Sequence, residues 1–240
     1  MTLESAGRGD PRRNAILRQL ADADRQALLG ASSLVPIIPG RAIVSTATAH
    51  RAVYFPLKGI ASFSIELEDG AAIDAAIIGA EGVLQVPPYV EHFDLNITLR
   101  GQLPGEALAV SQDVFEAQTR RSAQLGDLVM RHRGLMIGAL SMSIACARFH
   151  EVRRQYARWI LAFHDHAGHE CFPVTQDLLG SIIGVRRATI TSIAQRMKQE
   201  GMIDYRRGEV CIRDRKGLEA VACECYHTLQ ASYRQIFQAL

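Results

Sequence analysis

The chain has 240 residues, 48% hydrophobic and 22% charged, with a net charge of +2, the balance of a soluble globular protein able to bury real cores. No apolar run approaches the ~20 residues of a membrane helix, and the polar, basic start MTLESAGRGDPRRN has no apolar centre of a secretory signal. The expectation is a cytoplasmic protein of one large or two ordinary domains without membrane contact, opening with a flexible arm over residues 1–13.

Residues 14–34 carry Ile16, Leu17, Leu20, Leu28 and Leu29 at helical spacing, with Asp22 and Asp24 placed to cap the second piece. From Val35 to about Ala109 short apolar runs alternate with Gly and Pro, which predicts an antiparallel barrel or sandwich. Within it Glu68-Asp69-Gly70 is a hairpin turn. Ser111 is a predicted N-cap, with Asp113 in the first turn of a short helix. A long helix follows from about Ser122 to Cys146. Leu125, Val129, His132, Met136, Ala139 and Ser143 recur there as a heptad seam, widened by Leu128, Leu135 and Met142. That stripe predicts a self-complementary dimer interface, the alternative being packing on the β-domain alone, with His132 as a hydrogen-bonded member of it.

A further helix over about 150–166 carries Val152, Tyr156, Trp159, Ile160 and Phe163 on one face and leads through a loop containing Gly168. The segment TQDLLGSIIGVRRATITSIAQRMKQEGMIDYRRGEVCIR, residues 175–213, then contains two apolar stripes. They are Leu179, Ile182 and Ile183, and Ile190, Ile193, Ala194 and Met197, separated by a tight Gly184-Val185 turn. This is the pattern of a helix-turn-helix. Gly201 stops the second helix, and MIDY and EVCI form two strands around Arg206-Arg207-Gly208, completing a winged helix-turn-helix. From Cys171 to Lys216 there are nine Lys/Arg against five Asp/Glu, so this part is about +4 and suited to duplex DNA. The final residues, from 216 to 240, return to helix.

Taken together, VYFPLKGIASFSIELEDG, IIGAEGV, RRQYARWIL, FPVTQDLLGSIIGVRRATIT and GMIDYRRGEVCIRDRKGLE resemble the Crp/Fnr family of bacterial transcription regulators over almost the whole chain. The resemblance implies an α+β fold. Its parts are an N-terminal antiparallel β-roll like a cyclic-nucleotide-binding domain (14–121), a dimerisation helix (122–147), a winged helix-turn-helix (148–216) and a C-terminal helix (217–240). It also implies binding of palindromic promoter sites as a homodimer, and contact with RNA polymerase.

Two departures from that family stand out. Its phosphate-binding turn places an Arg soon after a Gly-Glu pair, whereas Glu81-Gly82 is followed by no Arg until Arg100, and Pro87 and Pro88 lack N–H groups. The β-roll is therefore expected not to hold a cyclic nucleotide in the usual way, with Glu81 and Gly82 structural. In the recognition helix, 186–199, Ala188 and Ser192 replace the family's base-reading Glu and Arg. The candidate DNA contacts are Thr175, Gln176, Arg186, Arg187, Thr189, Thr191, Ser192, Gln195, Arg206 and Arg207. Arg187 suits bidentate pairing with guanine and Gln195 with adenine, while the wing arginines suit phosphate.

Five cysteines, Cys146, Cys171, Cys211, Cys223 and Cys225, show no framework spacing and are expected as free thiols, with Cys223 and Cys225 packed on one helix. No cofactor or metal is expected. The alternative is a metal- or redox-responsive regulator using His164, His166, His169 and Cys171, or a dimeric interaction protein with weak, nonspecific DNA binding. No catalytic motif stands out, and no enzymatic activity is expected.

Overall fold

The computed structural model describes residues 9–46, 52–86 and 95–238. Pro87 and Pro88 of the phosphate-turn comparison lie outside the described residues, as do residues 1–8 of the expected arm. Its last residues, Pro11–Arg13, form one 3-10 turn capped by Asp10. Asn14 follows, fully buried, and holds three pieces together. Its Oδ1 accepts from the Ile16 and Leu17 N–H groups, which starts α1 (Ala15–Gln19), and its Nδ2 donates to Pro56 O at 3.1 Å and Gly82 O at 2.8 Å. In α2 (Asp22–Gly30) the N-cap is Ala21, without a side-chain bond, so Asp22 and Asp24 do not cap it. Asp22 instead pairs with Arg25, and Asp24 accepts from the Ser122 hydroxyl at 2.5 Å.

Strands β1 (Ser32–Ile37), β2 (Ala42–Ser45), β3 (Ala52–Glu66), β4 (Ala72–Ile78) and β5 (Asn96–Ser111) form one antiparallel sheet in the order β1-β5-β3-β4, with β2 also on β5. The β3–β4 turn is Glu68-Asp69-Gly70, with Gly70 at φ 81° and the Asp69 carboxylate accepting from the Ala71 N–H. Helix α3 (Gln112–Arg121) starts at Ser111, whose hydroxyl accepts from the Val114 N–H, as its sequence predicts. Ser122 caps the 27-residue α4 (Ala123–Phe149).

The predicted dimer seam on α4 is corrected. Leu125, Leu128, Val129, His132, Leu135 and Ala139 are all at most 5% exposed within a single chain. Leu125, Leu128, Val129 and Leu135 share a core with Ile16, Leu17, Phe55 and Leu108 of the β-roll, and Met136 and Met142 are half-buried. The heptad stripe is real, but its partner is the chain's own sheet. What α4 leaves outside is Met130, Ile137 and Ile144, seven residues apart and 62%, 67% and 74% exposed, with exposed Gly134, Gly138 and Ser141 between them.

Helix α5 (Val152–Ala167) ends at Gly168, which is left-handed at φ 68°. Strand β6 (Cys171–Pro173), α6 (Gln176–Ile183), α7 (Arg187–Gln199), β7 (Ile203–Arg206) and β8 (Glu209–Ile212) follow, with the small sheet ordered β6-β8-β7. In that sheet Cys171 lies opposite Cys211, with Cα atoms 4.0 Å apart, and the two form a disulfide. The expectation of five free thiols is corrected accordingly, and only Cys146, Cys223 and Cys225 remain free. The C-terminal segment is two helices rather than one, α8 (Arg215–Val221) and α9 (Cys225–Gln238), so Cys223 lies in the break and Cys225 begins α9 instead of both sharing a helix. One core joins Ile60, Ile77 and Leu103 of the β-roll to α5, α6, α7 and the wing.

Candidate nucleic-acid interface

The helix-turn-helix is built locally as its sequence dictates. The Thr175 hydroxyl accepts from the Leu178 N–H at 3.1 Å and starts α6, and Gly184 at φ 76° ends it. A Cβ at Gly180 would come within 2.9 Å of Val185 O, so glycine there lets the turn pass close over α6. Ile190, Ala194 and Met197 of α7 are buried against Leu179, Ile182 and Ile183. Ile193 is half-buried against the same core and Thr191 is half-buried, while the other residues of α7 face outward. Arg186, Arg187, Ala188, Thr189, Ser192, Gln195 and Gln199 are exposed.

Within this surface the predicted contacts are not equally free. The Thr191 hydroxyl sits 2.6 Å from Gln176 Oε1, a bond that ties α7 to α6 and occupies both side chains. Arg187 donates to Asp177 on α6 at 3.2 Å, each side chain being 67% exposed. An ion pair so exposed is worth little, so Arg187 can exchange Asp177 for a base at small cost. Asp177 is a partner that spacing alone did not single out. Arg206 and Arg207 stand at the wing tip, both exposed. Arg207 has φ 49° and Gly208 φ 84°, the paired left-handed residues of a tight hairpin, and Arg206 pairs with Asp204 at 3.4 Å.

The alternative ligand set of His164, His166, His169 and Cys171 is not brought together. His164 Nδ1 meets Arg215 at 2.7 Å, His166 turns to Glu81, His169 is exposed, and Cys171 is in the disulfide. Helix period explains the divergence, since residues 164 and 166 lie on different sides of α5.

The His166–Glu81 contact, 2.9 Å, links α5 to the loop after β4. Burial would raise the Glu81 carboxyl, but the His166 charge and the hydrogen bonds from that ring and from the Gly79 N–H outweigh it, holding Glu81 at about 2. Burial would lower His166, but the Glu81 carboxylate overrides this and raises the ring to about 9. In the same loop Val83 O lies 3.0 Å from His132 Nε2, and burial pushes His132 down, favouring its neutral form. The first helix of the helix-turn-helix, α6, is also moored to the β-roll. The Ser181 hydroxyl reaches Asp74 Oδ2 at 3.2 Å, and Asp74 accepts from Ser62 and Ser64 as well.

Residues 155–221 match the Crp-like helix-turn-helix domain. Solved structures of the same fold include FixK2 from Bradyrhizobium japonicum, at 11% identity and TM-score 0.68 over 80% of this chain and 98% of that one. A Crp/Fnr-family chain from Eubacterium rectale matches at 13% identity and TM-score 0.66 over 88% and 98%. A Crp/Fnr-family regulator from Thermus thermophilus matches at 16% identity and TM-score 0.61 over 79% and 98%. No curated protein sequence matches the chain. No helix among the described residues is long and apolar enough to cross a membrane. The chain carries a Crp-like helix-turn-helix domain and, from the β-roll to the wing, has the fold of the Crp/Fnr transcription regulators.

Proposed function

We propose that the protein is a homodimeric transcription regulator that reads duplex DNA through α7. The observation that carries this is the outward face of α7, polar and exposed along its length, with Arg186 and Arg187 at one end and the Arg206-Arg207 wing tip beside it. Arg187 and Gln195 read base edges, while Arg186, Thr189, Ser192, Arg206 and Arg207 position the backbone. Thr175, Gln176 and Thr191 act mainly by shaping the α6–α7 unit. As the family resemblance implies, the bound dimer contacts RNA polymerase.

The second copy docks on the outer stripe of α4. Met130, Ile137 and Ile144 form an apolar heptad line, and Gly134 and Gly138, with open space around them, let two helices approach closely. Two-fold pairing there matches a palindromic site. The division into β-roll, dimerisation helix, winged helix-turn-helix and C-terminal segment belongs to the same proposal, with the last segment split at residues 222–224.

The β-roll in this reading senses without a cyclic nucleotide held in the usual way. Glu81 is already engaged by His166, so its carboxylate is held by the protein itself.

Purified protein should enrich a palindrome from fragments of its source genome. Arg187→Ala should then weaken that site by about 1–3 kcal/mol while random duplex changes little. Equal weakening of both makes Arg187 a phosphate contact. Recovery of fragments without a shared site favours the nonspecific interaction protein instead.

A further inference from the structure

Three of the five cysteines take no part in the DNA-binding surface or the disulfide, yet they converge. Cys146 lies near the C-terminal end of α4, His150 caps that helix, Cys223 lies in the α8–α9 break and Cys225 begins α9. One ligand atom from each of the four lies within 4.8 Å of the other three. Cys146 Sγ and Cys223 Sγ are 3.5 Å apart, as are Cys225 Sγ and His150 Nδ1. The three cysteines are at most 1% exposed and make a small core of their own, separate from the main ones.

From this convergence we propose a zinc site of Cys146, Cys223, Cys225 and His150. Zinc bound at about 2.3 Å from sulfur and 2.0 Å from nitrogen sets its ligands roughly 3.5–3.8 Å apart in a tetrahedron, close to the separations here. Three thiolates and one imidazole are a closed structural set, with no position left for substrate. The surroundings fit as well. His150 presents Nδ1 to the cluster and donates Nε2–H to Glu224 Oε1 at 3.1 Å, the outer carboxylate that fixes a ligating ring. Three thiolates around a dication leave one negative charge, and the buried Arg158 guanidinium faces Cys146 to offset it. Binding releases the thiol protons to solvent, so zinc affinity rises with pH. Mechanically the ion ties the α4–α5 elbow to the α8–α9 turn, which ordinary packing of three small side chains does only weakly.

The test is metal analysis of the full-length protein purified without a metal-affinity tag, followed by cobalt titration of the reduced, chelated protein. One zinc per chain is expected, together with the intense sulfur-to-cobalt absorption of a tetrahedral thiolate site and a rise in Tm on adding zinc. Cys223→Ser and Cys225→Ser should lose the ion, whereas the double variant Cys171→Ser/Cys211→Ser should keep it. Glu224→Ala, which alters an exposed side chain, should keep the fold and weaken zinc about 10–100-fold. A wild-type chain that takes up no cobalt after reduction overturns the proposal. So does zinc retained by Cys223→Ser, or a Cys146–Cys223 disulfide in protein purified under reducing conditions. None of these readouts involves DNA, so their failure is separate from failure of the proposed function.

Discussion

The two faces of α4 carry the same kind of pattern and have different fates. The inner face, Leu125 through Ala139, is a heptad stripe that the chain itself covers, whereas Met130, Ile137 and Ile144 repeat every seven residues and stay in the open. The inner stripe is denser and richer in leucine, which makes it the better core. The outer is sparse and interrupted by glycine, which suits the proposed docking of a second copy. Heptad spacing alone therefore marks a buried helix without naming what buries it.

The sharpest test of that contrast is Leu128→Ala. Leu128 is fully buried, and its truncation should cost about 3–4 kcal/mol in denaturant unfolding while leaving self-association of the folded chain unchanged. Ile137→Glu should do the reverse. Monomer stability holds, and the dimer dissociation constant measured by ultracentrifugation rises about 100-fold, near 3 kcal/mol. A dimer indifferent to Ile137→Glu would remove the outer stripe as an interface.

A smaller effect tests the grip on the loop after β4, where α4 and α5 meet the β-roll. Glu81 is depressed to about 2, so its share of stability is present above the ordinary carboxylate range and fades as pH falls toward 2. His166 is raised to about 9, so its share is complete below its usual value of roughly 6.5 and is lost as pH climbs through 9. Between pH 6.5 and 9 the wild-type chain should lose about 2 kcal/mol relative to His166→Gln. Parallel curves would show that the pair contributes nothing. Smallest of all, Asp177→Ala should change stability by under about 0.5 kcal/mol, since both members of its pair are two-thirds exposed. A larger loss would mean that α6 and α7 depend on Arg187 for their angle.

Local chemistry made much of this fold legible. Ser111, Ser122 and Thr175 each cap a helix, Gly168 and Gly184 end one in the left-handed region, and the wing turns at Arg207-Gly208. These signals act within a few residues. What could not be read depended on pairing between distant segments. Cys171 and Cys211, forty residues apart, meet only because β6 pairs with β8. Cys146 and Cys223 lie 77 positions apart, and their approach requires α9 to fold back on α4. The histidine-rich stretch misled for the opposite reason, because closeness along a helix sends side chains to different sides. For α7, periodicity separated buried from exposed residues correctly, but it could not show that Thr191 and Gln176 would occupy each other.

Gly82 lies directly beneath the ring of His132, and a Cβ there would collide with that ring. The ring is buried on α4 and hydrogen-bonded to Val83, so it has little freedom to step aside. A methyl group at position 82 would push on the long helix from inside. Gly82→Ala should therefore destabilise the chain, and a smaller side chain at His132 should give part of the space back.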